Sequence, residues 1–288
     1  MRAVGLVPHP DRHAAHELAG TTAALLHGRG IEVRVPTSIA SNVGLDHNRV
    51  DDSEFAVGLD LVIAFGGDGT MLHAVHMVYP NDVPILGVNA GRLGYLTTLE
   101  ADELSALLPV IIDDTVSAFD TSDRMVLAAR ITPPEGPERV EYALNEFVLE
   151  KVGSGRLVDI AVTIGGSRFT NFSADGVIAA TPTGSTAYAF SVRGPIISPQ
   201  HRCLVVAPVA AHMLFDRTLV LGPDEDVEFE VGARPVAVAI DGRDGGILMP
   251  GSRVRCAAAP DPVRIVTRKG RAFHQILRDK FALPDREV

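Results

Sequence analysis

Cysteine is scarce: Cys203 and Cys256 are the only two in 288 residues. Their spacing makes neither a metal knuckle nor a disulfide framework, and each sits in a strand-like run. Both therefore read as small buried hydrophobes. A surplus of positive charge is also missing. With 26 Lys and Arg against 36 Asp and Glu, the formal charge is −10. Such a chain repels polyanions, which argues against general nucleic-acid binding and against anionic membrane surfaces. A nucleotide substrate stays possible, because local donors and a metal ion can outweigh global charge. No run approaches the roughly 18 apolar residues of a membrane span. The opening Met1-Arg2-Ala3-Val4-Gly5-Leu6-Val7-Pro8 is too short and too soon broken for a signal peptide. A reducing, cytoplasmic location is expected. The chain has no Gly-x-x-x-x-Gly-Lys-Ser/Thr loop, no Gly-x-Gly-x-x-Gly after the first strand and no Gly-x-Ser-x-Gly. These absences argue against P-loop enzymes, ordinary dinucleotide dehydrogenases and serine hydrolases.

What is present is a change of rhythm. Apolar residues are 46% and charged residues 22%, ordinary for a globular protein with a sizeable core. Through about residue 116, strands alternate with helices. Residues 3–7, 31–35, 61–65 and 84–88 read as strands, the last two continuous and apolar as doubly covered parallel strands should be. Ala15, Leu18, Ala19, Thr22, Leu25 and Leu26 recur at helical spacing, and Gly28 and Gly30 stop that helix. Residues 70–78 form another helix with Met71, Ala74, Val75 and Val78 on one face, and Leu104, Leu107, Leu108 and Ile111 mark a third. This alternation predicts a Rossmann-like parallel-sheet domain over 1–116, covered by helices on both faces.

From 117 to 267 the chain becomes a series of short runs rich in Val and Ile, including 140–149, 157–164, 176–180, 204–207, 236–240 and 263–267, cut by Gly, Pro and Asp turns. That is a β-rich second domain. Pro133-Pro134-Glu135-Gly136-Pro137 reads as a turn within it. Residues 268–288 return to helix, with Phe273, Ile276, Leu277 and Phe281 on one stripe, and are expected to fold back on the first domain. The fold class is α/β plus all-β.

Three segments carry chemistry. Gly66-Gly67-Asp68-Gly69-Thr70 ends a buried strand and opens a helix, at the carboxyl edge where parallel sheets bind ligands. Glycines let main chain approach phosphate, and the helix N-terminus offers N–H groups. Asp68 would repel phosphate unless it holds a metal ion or accepts a proton from a hydroxyl; a tight turn with Asp68 as helix cap is the alternative. Asn145-Glu146 interrupts the 140–149 run. A carboxamide beside a carboxylate suits a vicinal diol such as a ribose, and an edge-strand pair facing water is the alternative.

Between Asp175 and Pro195, a strand at 176–180 is followed by the turn Thr181-Pro182-Thr183-Gly184. Ser185 then reads as the cap of a short helix through Val192. Thr183, Ser185 and Thr186 would present donors to one polar ligand, and Tyr188 could stack on a base. Four hydroxyl residues in six positions exceed what one cap needs. His73 and His76 have i, i+3 spacing without a carboxylate partner, and read as surface or near-pocket residues. His212 is a weaker candidate. Arg264, Arg268, Lys269, Arg271, Arg278 and Lys280 read as a solvated basic stretch. No protein metal ligand set is proposed.

Taken in order, Gly-Gly-Asp-Gly-Thr, Asn-Glu and Asp-Gly-Val-Ile-x-x-Thr-Pro-Thr-Gly-Ser-Thr-Ala-Tyr resemble the NAD kinases, within the superfamily of diacylglycerol and sphingosine kinases. Gly91-Arg92-Leu93-Gly94-Tyr95-Leu96, and Arg217 with Leu219-Val220-Leu221, extend the resemblance over nearly the whole chain. It implies transfer of the γ-phosphoryl of ATP to the 2′-hydroxyl of the NAD adenosine ribose, with Mg²⁺ accompanying ATP and polyphosphate an open alternative donor. It implies that Asp68 orients or deprotonates that hydroxyl and that Asn145 and Glu146 hold NAD hydroxyls. Asp175, Thr183, Thr186, Ala187, Tyr188 and Ser191 would line the dinucleotide site, and Tyr95 would lie against adenine. Gly66, Gly67, Gly69 and Thr70 would leave room for ATP phosphates. It further implies a homodimer or homotetramer, with the NAD site built partly across an interface. The chain departs from the family pattern at His9 before Pro10, at Ala174, and at Arg193, where Gly-Gly-Pro is usual. Arg193 keeps open a diverged kinase acting on another nucleoside, a polyol or a lipid, and a non-catalytic NAD or NADP sensor is a third reading.

Overall fold

A computed structural model describes every residue except 42, 92–93, 114–118, 154, 271 and 284–288. The chain divides into two units, Met1–Asp123 with Val263–Val288, and Arg124–Pro262. The expected domain limit at residue 116 lies outside the described residues.

The first unit runs β1 (Ala3–Pro8), α1 (His13–His27), β2 (Glu32–Pro36), the single turn α2 (Thr37–Ala40), β3 (Arg49–Val50), β4 (Leu61–Gly66), α3 (Asp68–Val78), β5 (Ile85–Asn89), β6 (Leu99–Glu100), α4 (Leu104–Asp113) and β7 (Phe119–Arg124). Every residue of β1, β4 and β5 is buried, as their unbroken apolar composition requires of strands covered on both faces. The sheet order is β3-β2-β1-β4-β5, then the returning strand Val263–Arg268, then β7. The pairings from β3 through the returning strand are parallel. Residues 263–267, read above as the last β-rich run, thus join this first sheet, with Ile265 opposite Ile85.

The chain moves outward from β1 to β2 and β3, then resumes at β4 on the other side of β1. That reversal opens a crevice at the carboxyl ends of β1 and β4. α3 starts at Asp68, two residues earlier than expected, and buries Thr70, Met71, Ala74, Val75 and Val78. The C-terminal helix Phe273–Lys280 belongs to the same unit. Lys280 Nζ lies 5.0 Å from the centre of the Tyr95 ring. None of this helix's residues is fully buried, and Phe281 falls just past its end. No helix among the described residues is long and apolar enough to cross a membrane.

The second unit contains β8 (Leu127–Thr132), β9 (Arg139–Ala143), β10 (Glu146–Lys151), β11 (Val158–Ile164), β12 (Ser167–Ala174), β13 (Gly176–Ala180), α5 (Tyr188–Ser191), β14 (Leu204–Val209), β15 (Leu219–Leu221), β16 (Val227–Val231), β17 (Val236–Ile240), β18 (Arg243–Leu248) and β19 (Arg253–Ala258). They form two six-stranded sheets, β15-β14-β13-β10-β17-β18 and β12-β11-β16-β19-β8-β9. Residues alternate inward and outward along β16 and β17. Phe147, Leu149 and Val238 of one sheet meet Phe172, Phe229 and Val254 of the other in a shared core. On the outer face of the first sheet, Val148, Ile178 and Val205 receive Ala189 of α5.

The 140–149 run, read as one strand, is two. β9 lies in one sheet and β10 in the other, with the chain bending at Leu144 and Asn145. Cys203 and Cys256 are both buried and free, and burial raises both thiol pKa values.

The chain past α5 turns through Arg193, whose φ of 66° lies in the left-handed region. Arg193 N donates to Phe190 O at 3.0 Å and Gly194 N to Ala189 O at 2.8 Å, which fixes that turn. A side chain there costs about 1–2 kcal/mol, part of which glycine would return as freedom of the unfolded chain. Arg193→Gly is expected to raise the unfolding free energy by about 0.5–1 kcal/mol, measured by denaturant titration.

Candidate active site

In the first unit the site begins where β4 gives way to α3. Gly67 precedes the helix without a side-chain cap, so Asp68 is not the helix cap that one reading allowed. Its carboxylate instead accepts two consecutive main-chain N–H groups, Tyr95 N to Oδ2 at 3.0 Å and Leu96 N to Oδ1 at 2.9 Å. The approach is close enough to require glycine at 94. A Cβ there would stand 2.1 Å from Asp68 Oδ1. Asn89 steadies the same loop by accepting Gly91 N at 3.0 Å and donating to Glu100 Oε2 at 2.8 Å. Burial, and then the Asp68 charge, raise the Tyr95 phenol pKa.

Beside Asp68 a cleft of about 530 Å³ opens at the β1–β4 reversal, lined by Pro8, His9, Gly67, Gly69 and Thr70 among others. A Cβ on Gly67 or Gly69 would meet nothing within 4 Å, and neither has a positive φ. Packing and backbone give no reason for glycine at either position.

In the second unit Asn145 and Glu146 lie at the start of β10, between β13 and β17 in the middle of a sheet. Both are buried, so the water-facing edge pair is ruled out. Three contacts hold their turn. Thr181 N donates to Asn145 O at 2.9 Å. Gly184 lies so close that a Cβ would stand 2.1 Å from Asn145 O. Asp241, at the end of β17, accepts Leu144 N at 2.7 Å on Oδ2, and Asn145 N at 2.7 Å and Glu146 N at 3.0 Å on Oδ1.

Sequence reading missed Asp241. Its only trace is an Asp-Gly step with φ of 48° and 78°, which reads as a hairpin turn. Burial raises its pKa against the opposing pull of those three N–H groups and Arg243. Glu146 is pushed up to about 7 by burial and then by the charge of Asp241, with the Tyr188 N–H opposing. Glu146 Oε2 is buried and has no partner among the described residues.

The hydroxyl-rich turn divides its labour. Ser185 does not cap a helix. A 3₁₀ turn spans Thr183–Thr186 and α5 covers only Tyr188–Ser191. Ser185 Oγ donates to Pro182 O at 2.6 Å and accepts Ile197 N at 3.0 Å, and the residue is fully buried. Thr183 is buried, and Thr186 Oγ1 donates to its carbonyl at 3.3 Å. Asp175 pairs with Lys151 at 2.6 Å. Tyr188 is half-buried; burial, then the charges of Glu150, Asp175 and Glu146, raise its phenol pKa.

Thus Gly66, Gly67, Asp68, Gly69, Thr70 and Tyr95 gather in the first unit. Asn145, Glu146, Asp175, Thr183, Thr186, Ala187, Tyr188 and Ser191 belong to the second. His73 lines the cleft, while His212 is exposed. Among the described residues no three His, Cys, Asp or Glu groups gather as a metal cage. Arg264 and Arg268 of the basic stretch pair with Asp82 and Glu103. Arg217 lies beside Asp216 just before the edge strand β15. Arg92, Leu93 and Arg271 lie outside the described residues.

The chain is thus a two-unit α/β plus antiparallel β protein with a cleft at the strand reversal of its first unit. Residues 4–116 match the family described as ATP-NAD kinase N-terminal domain, and residues 144–268 the ATP-NAD kinase C-terminal domain. Similar proteins include an NAD kinase of Syntrophotalea carbinolica, 36% identical, covering 96% of each chain. NAD kinase 2 of Streptomyces coelicolor is 34% identical, covering 99% of this chain and 95% of its own. The fold resembles that of yeast NADH kinase complexed with NADH, at TM-score 0.91 and 23% identity over 100% of this chain and 89% of that one. It also resembles an Archaeoglobus fulgidus NAD kinase in complex with ATP, at TM-score 0.71 and 23% identity over 98% of both. The chain belongs to the NAD kinase family.

The Glu146 carboxyl, ordinarily near 4.5, titrates near 7 in the folded protein. The folded state therefore holds that proton more tightly than the unfolded state. The resulting stabilisation is full below pH 4.5 and is lost as pH rises through 7. Glu146→Gln removes this dependence. Its stability relative to the parent chain should rise by about 2 kcal/mol between pH 5 and pH 8 in denaturant titrations.

Proposed function

We infer that the chain carries out the reaction of its family, transfer of the γ-phosphoryl group of ATP to the 2′-hydroxyl of the NAD adenosine ribose, giving NADP. Asp68 is the observation that carries this reading at the level of residues. It is a carboxylate at a ligand crevice, held by two main-chain N–H groups. Each of its oxygens keeps acceptor capacity beyond that bond. A carboxylate so placed can orient or deprotonate an alcohol as phosphorus approaches it. Phosphoryl transfer asks little else of a protein than positioning and charge neutralisation.

Gly67 and Gly69, needed by neither packing nor φ, leave the main chain bare for phosphate oxygens. Mg²⁺ takes one or two carboxylates and leaves its other positions to phosphate and water. Asp68, the only carboxylate among the described residues lining the cleft, fits that demand. Such an ion would neutralise the donor's phosphate oxygens.

In the second unit, buried Asn145 and Glu146 serve the NAD hydroxyls. The orphaned Glu146 Oε2 is an acceptor awaiting an O–H donor. Tyr188, Asp175, Thr183, Thr186, Ala187 and Ser191 serve the rest of the dinucleotide, and Tyr95 the adenine. A homodimer or homotetramer in the cytoplasm completes the reading.

A coupled assay with NAD and Mg·ATP is expected to yield NADP, and Asp68→Asn should lower kcat by about 10²–10⁴. If intact, folded protein phosphorylates another nucleoside, a polyol or a lipid in preference to NAD, the diverged-kinase alternative replaces this reading. Gly67→Ala separates ligand approach from folding. Its melting temperature should stay within about 2 °C of the parent, since the added methyl meets open space, while KM for ATP rises.

A further inference from the structure

The cleft at the β1–β4 reversal has a roof that no motif marks. Arg12 lies just before α1, and its side chain also lines that cleft. Its Nη1 stands 2.6 Å from where a Cβ on Gly91 would sit. Gly91 follows the end of β5, and β4 lies between β1 and β5 in the sheet. The guanidinium therefore reaches from the end of the first strand, across the end of β4, to the loop after the fifth. Gly67 and the first turn of α3 line the same cleft. No carboxylate among the described residues lies within ion-pair distance of it.

Below it, Thr70 is only 5% exposed and lines the same cleft, yet its Oγ1 has no hydrogen-bond partner among the described residues. A buried hydroxyl of this kind costs free energy unless a ligand or water completes it. On the wall, His9 Nδ1 accepts Asp11 N at 3.1 Å, which leaves its Nε2 as the ring's donor. Apart from Asp68, the cleft thus presents donors: a guanidinium, an imidazole, a buried hydroxyl and the N-terminus of an eleven-residue helix. In a chain of charge −10, that concentration of donors marks a seat for an anion longer than one phosphate.

We propose that Arg12 closes over the phosphate chain of the phosphoryl donor and, with Thr70, His9 and the start of α3, forms a polyphosphate cradle. The occupant follows from the reading under Proposed function, and Arg12 deepens it by making donor choice depend on the phosphate chain. A guanidinium sets two N–H groups in the plane of adjacent phosphate oxygens. Nucleoside triphosphates and inorganic polyphosphate share that chemistry.

The test compares the full-length chain with Arg12→Ala, Arg12→Lys and, at the far end of α1, Arg29→Ala. NADP formation is measured against ATP at saturating NAD, and binding of inorganic triphosphate, ATP and adenosine with Mg²⁺ is measured by calorimetry. Arg12→Ala should raise KM for ATP and Kd for inorganic triphosphate by a common factor of about 10–100, the usual worth of a charged hydrogen bond. KM for NAD and adenosine binding should stay within about twofold, Arg12→Lys should fall between, and Arg29→Ala should match the parent. Arg12 is exposed, so melting curves should be unchanged. A folded Arg12→Ala with unaltered donor KM overturns the proposal, as does a loss confined to adenosine-containing ligands. If the parent binds triphosphate through Arg12 yet forms no NADP, the proposed function fails and the cradle stands.

Discussion

The Asp68 carboxylate accepts N–H groups from two successive residues, and this grip ties the loop after β5 to the first turn of α3. Without it, Tyr95 and Leu96 would carry two unsatisfied donors, and the carboxylate would be free to rotate. With it, both oxygens are fixed where the parallel sheet opens its ligand crevice. A carboxylate held by main chain pays no further entropy when a hydroxyl arrives. One side chain thus shapes the loop, and on the proposed reading it also meets the acceptor hydroxyl, which would couple fold to activity at this position.

The second unit repeats the device with different parts. Asp241 gathers three consecutive N–H groups from Leu144 to Glu146 and fixes a bend where the chain passes from one sheet to the other. The bend explains why Asn145 and Glu146 can be polar, buried and central at once. Their main chain is satisfied by Asp241 and Thr181, and Glu146 Oε2 keeps no partner among the described residues. The nearby acid also has a chemical effect: burial first, and then the charge of Asp241, push the Glu146 carboxyl up to about 7.

Much of this was legible in one dimension. The unbroken apolar runs at 61–65 and 84–88, and the glycine cluster that ends the first of them, announced a parallel strand meeting a helix. The long Thr-Pro-Thr-Gly-Ser-Thr-Ala-Tyr string carried the family. What stayed hidden depended on distant partners. Asp241 lies far along the chain from the N–H groups it holds, and an Asp-Gly step looks like any hairpin turn. Ser185 has the composition of a helix cap but spends its hydroxyl on Pro182 and Ile197. The break inside 140–149 leaves no mark on hydrophobic alternation, because both halves remain strands. Arg12 sits in no motif quoted above, and its nearness to Gly91 appears only once the sheet sets β1 and β5 on either side of β4.

The insertion of Val263–Arg268 between β5 and β7 has a consequence for biosynthesis. A ribosome delivers β1 to β7 first, but the middle of their sheet must wait for Val263–Arg268, well over a hundred residues further along the chain. At roughly 5–20 residues per second the wait is on the order of ten seconds. During it, β6 covers only the Val88–Asn89 end of β5, and the edge at Ile85 stays open to solvent, chaperones or a neighbouring nascent chain. The intervening β unit is one contiguous span, so a segment translated after it completes the sheet translated before it.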